Sequence, residues 1–344
     1  MKDWDYANMS RAAKEAGGPK EYYEATYESG SGHINETYKV ETASGVRYIL
    51  QRVNTTIFDV DLLKTNVVRV TEFLKSKGVK SLEVVGYDNP WRIYKFLEGY
   101  TSRDVVSEPH QAYDVGRAFA KFQNDLADIP PPRLEDIIPK FHDTPNRLKQ
   151  LDDAAAKDVK GRLASVAAEM AFVDSWRKNA SRIVDLMASG EIPERVTHND
   201  TKINNVMIDA KGEAVVIDLD TTMPGSALFD FGDMVRTSTA AAAEDEADLS
   251  KVFAKREYFE ALAKGYLEGA KFLNEAERAN LVFSGKLATF EVGLRFLADY
   301  LAGDVYFHTK YDDHNLVRAR NQFQMVRSLE EQTADFEAIV KGLS

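Results

Sequence analysis

The chain has 344 residues, of which 44 are Lys or Arg and 55 are Asp or Glu, so its formal net charge is −11. Hydrophobic residues make up 44% and charged residues 29% of the sequence, which is typical of soluble globular proteins and excludes wholesale disorder. The absence of cysteine excludes disulfides, thiolate nucleophiles and cysteine-based metal sites. The excess of acidic residues argues against a general nucleic-acid binder, because phosphate neutralisation needs a basic face.

The length and the apolar pattern set the expected organisation. At about 150 residues per domain, the chain is long enough for two globular units. No apolar run approaches the roughly 20 residues of a membrane span. Residues 1–5 lack the basic-then-apolar order of a signal peptide. We therefore expect a cytoplasmic protein with no membrane partner, either a monomer or a weak homodimer.

Residues 1–97 are rich in β-favouring side chains. Strands are predicted at 21–28, 37–41, 46–53, 82–85 and 91–97, with turn residues between the second and third and between the last two. Residues 59–77 carry apolar side chains at helical spacing and are followed by Gly78, which predicts a helix that ends there. The predicted order is three strands, one helix and two strands.

The remainder of the chain, 98–344, is predicted to be mainly helical. Apolar residues step by three and four over 112–126 and again over 287–301, as on the buried face of a helix. A polar helical stretch is expected at 148–189, and an exposed loop leading into a helix at 237–248. Residues 196–220 interrupt this pattern with strands and polar loops.

That interruption carries the candidate chemistry. A polar loop contains His198, Asp200, Lys202 and Asn205, and two short apolar strands then lead to Asp218. A tight hairpin of about three residues in each direction returns the chain to its starting point, since a strand rises about 3.3 Å per residue. We therefore expect Asn205 and Asp218 to lie side by side, close to Asp200.

These residue types suit phosphoryl transfer. Asp200 is expected to accept the proton of an attacking hydroxyl, and Lys202 to meet the transferring phosphoryl group. Asn205 and Asp218 offer the oxygen ligands with which Mg²⁺ binds a nucleotide triphosphate. Asp and Asn are also common in turns, so one such pair alone indicates little. The coincidence of all these residues at this spacing favours the catalytic interpretation.

The sequence resembles the aminoglycoside-phosphotransferase superfamily, and within it is most similar to the N-acetylhexosamine 1-kinase branch. The segments that carry the resemblance are 30–35, 50–54, 96–99, 198–205, 217–220, 295–300 and 303–307. The resemblance implies an α+β, bilobal protein-kinase-like fold. In that fold, 1–97 form a small nucleotide-binding lobe of antiparallel sheet plus helix, and 98–344 form a larger, mainly helical lobe for catalysis and substrate binding.

The resemblance also implies roles in catalysis. The general base falls on Asp200, the metal ligands fall on Asn205 and Asp218, and ATP with Mg²⁺ is the implied donor. Residues 230–232 spell the metal motif of protein kinases, but the spacing of 18 from Asp200 to Asp218 fits the family better. Asp230 and Asp233 are therefore expected to bond the backbone of the catalytic loop.

Nucleotide anchoring departs from the protein-kinase pattern. Gly30, Ser31 and Gly32 stand where a phosphate-covering loop belongs, although a plain β-turn explains them equally well. The strand that should carry a phosphate-binding Lys has Gln51 and Arg52 instead. Arg52 keeps the charge and could pair with Glu72 on the following helix, while a solvated edge-strand Arg is the alternative.

Adenine is expected at the join between the lobes. Backbone groups of Phe96 and Leu97 would bind it, with apolar side chains as walls. Because backbone groups rather than side chains would recognise the nucleotide base, the sequence does not distinguish ATP from GTP as the donor.

The acceptor residues are implied by the resemblance alone. His33, Asp220, Arg295 and Tyr306 match sugar-binding positions of the branch. An exposed turn histidine is the alternative for His33, and a surface ion-pair row of Arg295 with Glu291 and Asp299 is the alternative for Arg295.

The resulting prediction is a kinase that phosphorylates the anomeric hydroxyl of an N-acetylhexosamine (GlcNAc or GalNAc). Two alternatives stay open. The first is a kinase of another small alcohol, of the aminoglycoside, choline or homoserine type. The second is a non-catalytic nucleotide-binding module.

Overall fold

A computed structural model describes residues 26–29, 34–42 and 45–343. The predicted phosphate-loop residues Gly30, Ser31 and Gly32, together with His33, lie outside the described residues. Within the described part of the chain, no helix is both long enough and apolar enough to cross a membrane.

The chain divides into two compact units, each built from more than one stretch of sequence. The first comprises residues up to 101 together with 128–139 and 207–223, and the second comprises 102–127, 140–206 and the remainder from 224. The predicted division after residue 97 did not assign the two later segments to the first unit.

An antiparallel sheet of five strands forms the first unit's framework. Its strands, in the spatial order β1-β2-β3-β5-β4, are β1 (Thr26–Ser29), β2 (Glu36–Glu41), β3 (Arg47–Arg52), β4 (Val84–Asp88) and β5 (Trp91–Lys95). Val40 faces Tyr48 across one pair of strands, and Leu50 faces Ile93 across the next. Because alternate residues point to the same face of a strand, these four side chains form one buried cluster.

Helix α1 (Val60–Ser76) begins and ends where the sequence predicts. The Asp59 carboxylate caps it by accepting hydrogen bonds from the backbone N–H groups of Asp61 and Leu62 at 3.0 and 3.2 Å. The chain leaves the helix through Gly78, whose positive φ of 70° suits glycine. The predicted order of three strands, one helix and two strands is confirmed.

The predicted hairpin after the polar loop is also present. Strands β8 (Val206–Asp209) and β9 (Ala214–Val216) pair with each other, and β8 pairs with β6 (Tyr100–Ser102). The Asp209 carboxylate closes the turn by accepting hydrogen bonds from the backbone N–H groups of Lys211 and Glu213, both at 2.8 Å.

The second unit is mainly helical. Its helices are α2 (Pro109–Leu126), α3 (Thr144–Lys157), α4 (Ala167–Trp176), α5 (Arg182–Ala188), α6 (Ala227–Ser238), α7 (Arg256–Gly269), α8 (Glu275–Ala302), α9 (His314–Glu331) and α10 (Thr333–Leu343). A short strand β7 (Arg195–Thr197) pairs with β10 (Met223–Gly225). Helix α8 packs against α3, α6 and α9 and is the central helix of the unit.

Helices α2 and α7 approach each other closely because each presents a glycine. A Cβ atom on Gly265 would lie 2.1 Å from the Tyr113 carbonyl oxygen, and one on Gly116 would lie 2.4 Å from the Leu262 carbonyl oxygen. No larger residue fits at either position without separating the two helices.

Candidate functional site

The loop formed by residues 198–205, here called the catalytic loop, begins directly after β7. It ends in a 3₁₀ turn, Ile203–Asn205, that leads into β8. Asn199 adopts a left-handed backbone with φ of 64°. A non-glycine residue keeps such a conformation only where its surroundings fix it, and this strain is common at functional sites.

Two carboxylates of α6 fix the catalytic loop. Asp230 accepts hydrogen bonds from the backbone N–H groups of His198 and Asn199 at 2.8 and 2.7 Å. Asp233 accepts one from the backbone N–H of Thr201 at 2.9 Å. The expectation that Asp230 and Asp233 bond the loop backbone is confirmed.

Asp230 is itself held deep inside the second unit. Gln123 of α2 donates to its Oδ2 atom at 2.6 Å, and the Tyr266 hydroxyl donates to Gln123 at 2.7 Å. Burial raises the pKa of Asp230, while the His198 ring and the backbone N–H donors act in the opposite direction. The catalytic loop is therefore anchored to a buried polar network rather than to solvent-exposed groups.

Asp200 is the carboxylate of this loop that the sequence predicts to act as the base. Its Oδ2 atom accepts hydrogen bonds from the Lys202 ammonium at 2.7 Å and from the Asn205 amide at 2.9 Å. Burial pushes the pKa of Asp200 upward, but the Lys202 charge and these hydrogen bonds outweigh it, so the pKa is lowered overall. Asp200 is therefore ionised at neutral pH, which is the state that accepts a proton.

Asn205 suits the ligand role predicted for it. Its Nδ2 atom donates to both the backbone carbonyl and the carboxylate of Asp200, at 2.8 and 2.9 Å. The amide oxygen takes no part in those bonds and is the type of donor that Mg²⁺ prefers. No group of three or more His, Cys, Asp or Glu side chains forms a metal site among the described residues. Mg²⁺ bound to a nucleotide needs only one or two protein oxygens, so the donor set fits.

Asp218 lies in the first unit, two residues beyond β9. It is exposed, with a left-handed backbone of φ 58° and ψ 60°, and it begins the 3₁₀ turn Leu219–Thr221. Like Asn199 in the catalytic loop, Asp218 is a non-glycine residue with a left-handed backbone.

The neighbouring carboxylate, Asp220, is buried in the first unit with an exposed fraction of 3%. The Arg92 guanidinium contacts both of its oxygens, at 2.6 and 2.8 Å, and the Asn35 amide donates to it at 2.6 Å. The sequence allowed Asp220 to face either the core or the cleft, and these partners hold it in the core of the unit. Its role in sugar binding stays a prediction.

The structure also bears on the missing strand Lys. Arg52 is exposed on β3 and pairs with Glu36 of β2 at 3.0 Å rather than with Glu72, one of the two possibilities that the sequence left open. Its contact with a nucleotide stays a prediction. Gln51 accepts a hydrogen bond from Arg92 at 3.0 Å. The buried cation of this sheet is Arg92 of β5, a residue that the sequence analysis did not consider.

The two residues predicted at the adenine position lie just after β5. The Arg47 guanidinium stacks over the Phe96 ring at 4.7 Å and pairs with Glu98. Leu97 is buried. Their contact with a nucleotide stays a prediction.

His142 is a further site residue that the sequence analysis missed. Its Nδ1 atom lies 2.7 Å from the Glu291 carboxylate, and its Nε2 atom lies 3.4 Å from the backbone carbonyl of Asn199. Its ring stacks on Phe229 at 4.7 Å. Because its partners are distant in sequence, no local pattern around His142 indicated this position beside the catalytic loop.

Arg295 lies among aromatic rings in the second unit. Its guanidinium lies 5.4 Å from the Phe141 and Phe307 ring centres and 5.9 Å from that of Tyr306. Arg295 forms no hydrogen bond or ion pair with any described residue.

The alternative interpretation of Arg295, a surface ion-pair row, is wrong. Glu291 is occupied by His142, and Asp299 accepts hydrogen bonds from the backbone N–H groups of 305–307 and from Asn315. Neither carboxylate pairs with Arg295.

The model of the phosphotransferase enzyme family matches residues 28–274 of the chain. Solved structures of similar fold include an ethanolamine kinase from Plasmodium vivax, with 14% identity and a TM-score of 0.64 over 94% of this chain and 89% of that one. Another is a choline/ethanolamine kinase family protein from Mesorhizobium loti, with 18% identity and a TM-score of 0.59 over 96% and 98%.

A third similar structure is an amicoumacin kinase in complex with AMP-PNP and Ca²⁺. It shares 14% identity with this chain and has a TM-score of 0.61 over 97% of this chain and 94% of that one. At these identities the likeness shows the fold, and it confirms the predicted mixture of an N-terminal antiparallel sheet and a mainly helical C-terminal part.

Proposed function

Because the chain belongs to the phosphotransferase enzyme family, we propose that it is an ATP- and Mg²⁺-dependent kinase of a small sugar. The proposed reaction transfers the γ-phosphoryl group of ATP to the anomeric hydroxyl of an N-acetylhexosamine. The observation that carries the proposal is the ionised Asp200 carboxylate, held by Lys202 and Asn205 on an anchored loop.

Asp200 acts as the general base. The acceptor oxygen bonds to the γ-phosphorus, its proton passes to an Asp200 oxygen, and the bond from the γ-phosphorus to the β-phosphate oxygen breaks to release ADP. Lys202 keeps Asp200 ionised and places a positive charge beside the transferring group. Positioning and charge neutralisation supply most of the rate enhancement in phosphoryl transfer.

Asn205 and Asp218 are the proposed Mg²⁺ ligands, and the metal would neutralise charge on the phosphates of ATP. The support is the position of each residue beside a strand of one hairpin, at the kinase-type spacing from Asp200. AMP-PNP and Ca²⁺ in the amicoumacin kinase structure are consistent with a nucleotide and a divalent cation in this fold.

The charge around Arg295 favours a neutral polyol over a cationic acceptor. Arg295 has no carboxylate partner among the described residues. Burial lowers the pKa of the nearby Arg147, and the charge of Arg295 lowers it further. The positive charge of a choline, or the several positive charges of an aminoglycoside, would be repelled there. Aromatic rings beside a guanidinium instead suit a sugar, whose C–H faces pack on rings and whose oxygens accept hydrogen bonds.

The test is ADP release from ATP and Mg²⁺ with N-acetylglucosamine, N-acetylgalactosamine, glucosamine, choline, ethanolamine, homoserine and kanamycin. We expect turnover with the N-acetylhexosamines, and ³¹P NMR of the product should place the phosphate on the anomeric carbon. Asp200→Asn should lower kcat by about 10²–10⁴-fold.

The matched control is Asp153→Asn, which removes the carboxylate of an exposed Asp–Lys pair in the same unit and should leave kcat unchanged. Turnover with choline alone would overturn the sugar assignment. ATP binding without turnover of any acceptor would favour the non-catalytic alternative.

A further inference from the structure

A buried polar network joins three segments of the first unit at Asp220. Arg92, with an exposed fraction of 1%, contacts both carboxylate oxygens of Asp220 and donates through Nε to Gln51 at 3.0 Å. Asn35 donates to Asp220 at 2.6 Å, and its own amide oxygen accepts a hydrogen bond from the backbone N–H of Asn54 at 3.0 Å. Every member therefore bonds to a residue on another segment.

Asp220 belongs to the turn formed by residues 218–222, and this turn is also fixed at its far end. Asn66 of α1 donates to the backbone carbonyl of Thr222 at 3.0 Å and to that of Glu135 at 2.8 Å, and it accepts a hydrogen bond from the Glu135 backbone N–H. The turn 218–222 is thus held by Arg92 and Asn35 at Asp220 and by Asn66 at Thr222.

Asp218 needs such support. Its left-handed backbone is uncommon for a residue other than glycine and persists where the surrounding structure fixes it. Asp220, two residues later, is held inside the unit, so the backbone of the intervening turn is held with it. Fixing Asp220 therefore fixes the backbone position from which the Asp218 side chain extends.

We propose that Arg92 is a positioning residue for Asp218, acting through its buried ion pair with Asp220. The inference rests on the proposed function, in which Asp218 is a Mg²⁺ ligand. In this proposal Arg92 is the buried cation of the nucleotide-binding sheet but does not contact phosphate. Asn35, which follows residues 30–33, donates to the same Asp220 carboxylate.

Arginine rather than lysine is required because its planar fork engages both carboxylate oxygens and Gln51 at once. Arg92→Lys should keep the charge and lose the fixed geometry. Arg92→Gln should lose both.

The first readout is amide hydrogen exchange of the free enzyme, which does not depend on turnover. Peptides covering 218–222 should exchange at least about tenfold faster in Arg92→Gln than in the wild type, since a locally opened turn loses its protection. The second readout is the Mg²⁺ concentration for half-maximal ADP release, which should rise by about 10–100-fold, the usual cost of losing a residue that orients a metal ligand.

A control and a double variant separate positioning from folding. Arg133→Gln removes an exposed arginine of the same unit that pairs with Asp136, and it should change neither readout. Arg92→Gln combined with Asp220→Asn leaves no unpaired buried charge. It should regain the thermal midpoint of the wild type while the turn still exchanges quickly and the Mg²⁺ requirement stays high.

Wild-type exchange at 218–222 in Arg92→Gln, or wild-type values of both readouts in the double variant, would overturn the proposal. If the wild type turned over no acceptor, the proposed function would fail, whereas the exchange comparison would still decide whether Arg92 orders the turn.

Discussion

The charge state of Asp200 depends on its neighbours, of which Lys202 has the largest effect. Burial alone would raise the pKa of this carboxyl, and the Lys202 ammonium 2.7 Å away reverses the direction. The ionised form that the proposed base needs is therefore stabilised by a lysine only two positions along the chain.

Replacing Lys202 with Met should move the acidic limb of the pH profile. Loss of the ammonium removes the largest effect that opposes burial, so the pKa of Asp200 rises and protonation removes the proposed base at a higher pH than in the wild type. The measurement is kcat/KM for ADP release from pH 4.5 to 8. Lys149→Met, which disrupts the exposed pair with Asp153, is the control. An acidic limb at the same pH in all three proteins would contradict this account.

Arg295 permits a prediction about acceptor affinity. Arg295→Met should raise the KM for the sugar by about tenfold or more and leave the KM for ATP unchanged, because a charged hydrogen-bond donor is lost from the acceptor side only. Initial-rate kinetics with each substrate varied in turn measure both constants. Arg327→Met, which removes an exposed arginine stacked on Phe172, is the comparison, and equal effects of the two variants would refute the assignment.

Single residues also show where sequence analysis stops. The spacing of Asp200, Lys202 and Asn205 is local, so the sequence alone could indicate that they meet. Arg92 and Asp220 are 128 residues apart, and His142 and Glu291 are 149 apart. Only the fold brings such pairs together, so neither Arg92 nor His142 was predicted.

At the scale of elements, helices with strong end signals were located well. Helix α1 was predicted at 59–77, and the structure has its cap at Asp59 and its last residue at Ser76. The stretch 148–189 was predicted as helical, but it contains α4 and α5 and most of α3, separated by turns. Its apolar pattern is weaker there, and the breaks depend on packing that one sequence does not show.

The close contact between α2 and α7 makes Gly265 a sensitive position. Gly265→Ala should lower the free energy of unfolding by about 1–3 kcal/mol, because the new methyl group meets a backbone carbonyl that cannot move aside. Urea unfolding followed by circular dichroism measures the change. Gly342→Ala is the matched control, since its methyl group meets nothing within 4 Å and should slightly stabilise α10.

At the scale of the whole molecule, the stability of the fold should depend on acid through Glu291. Burial raises the pKa of this carboxyl, but His142 and Thr144 outweigh burial, so its folded pKa lies below the ordinary value of 4.5. A lowered carboxyl pKa means that the stabilisation is complete above about pH 4.5 and is lost as the pH falls toward the folded pKa.

Glu291→Gln should therefore lower the free energy of unfolding at pH 7 by about 1–3 kcal/mol and make it less dependent on pH below 5. Urea midpoints between pH 3.5 and 7.5 test this, with the exposed Glu337→Gln as control. An equally steep loss of stability in Glu291→Gln and the wild type would show that other carboxylates govern acid unfolding.

The family could be predicted from the chain as a whole, and the family match confirms it. Its catalytic signature is contiguous over 198–220 and its fold follows from the strand and helix order. The acceptor could not be predicted from the sequence in the same way. The residues proposed to recognise it are Arg295 and Tyr306, which come from separate segments and are compatible with several kinds of ligand. The N-acetylhexosamine assignment consequently stays a proposal.

The left-handed backbones of Asn199 and Asp218 restrict how this enzyme can be re-engineered. Saturation libraries aimed at new acceptors should omit both codons, since valine, isoleucine or threonine at either place would misfold the adjoining turn before any change in selectivity could be scored. Substitutions are better introduced at Tyr306, whose side chain is 57% exposed and whose backbone N–H is held by the Asp299 carboxylate.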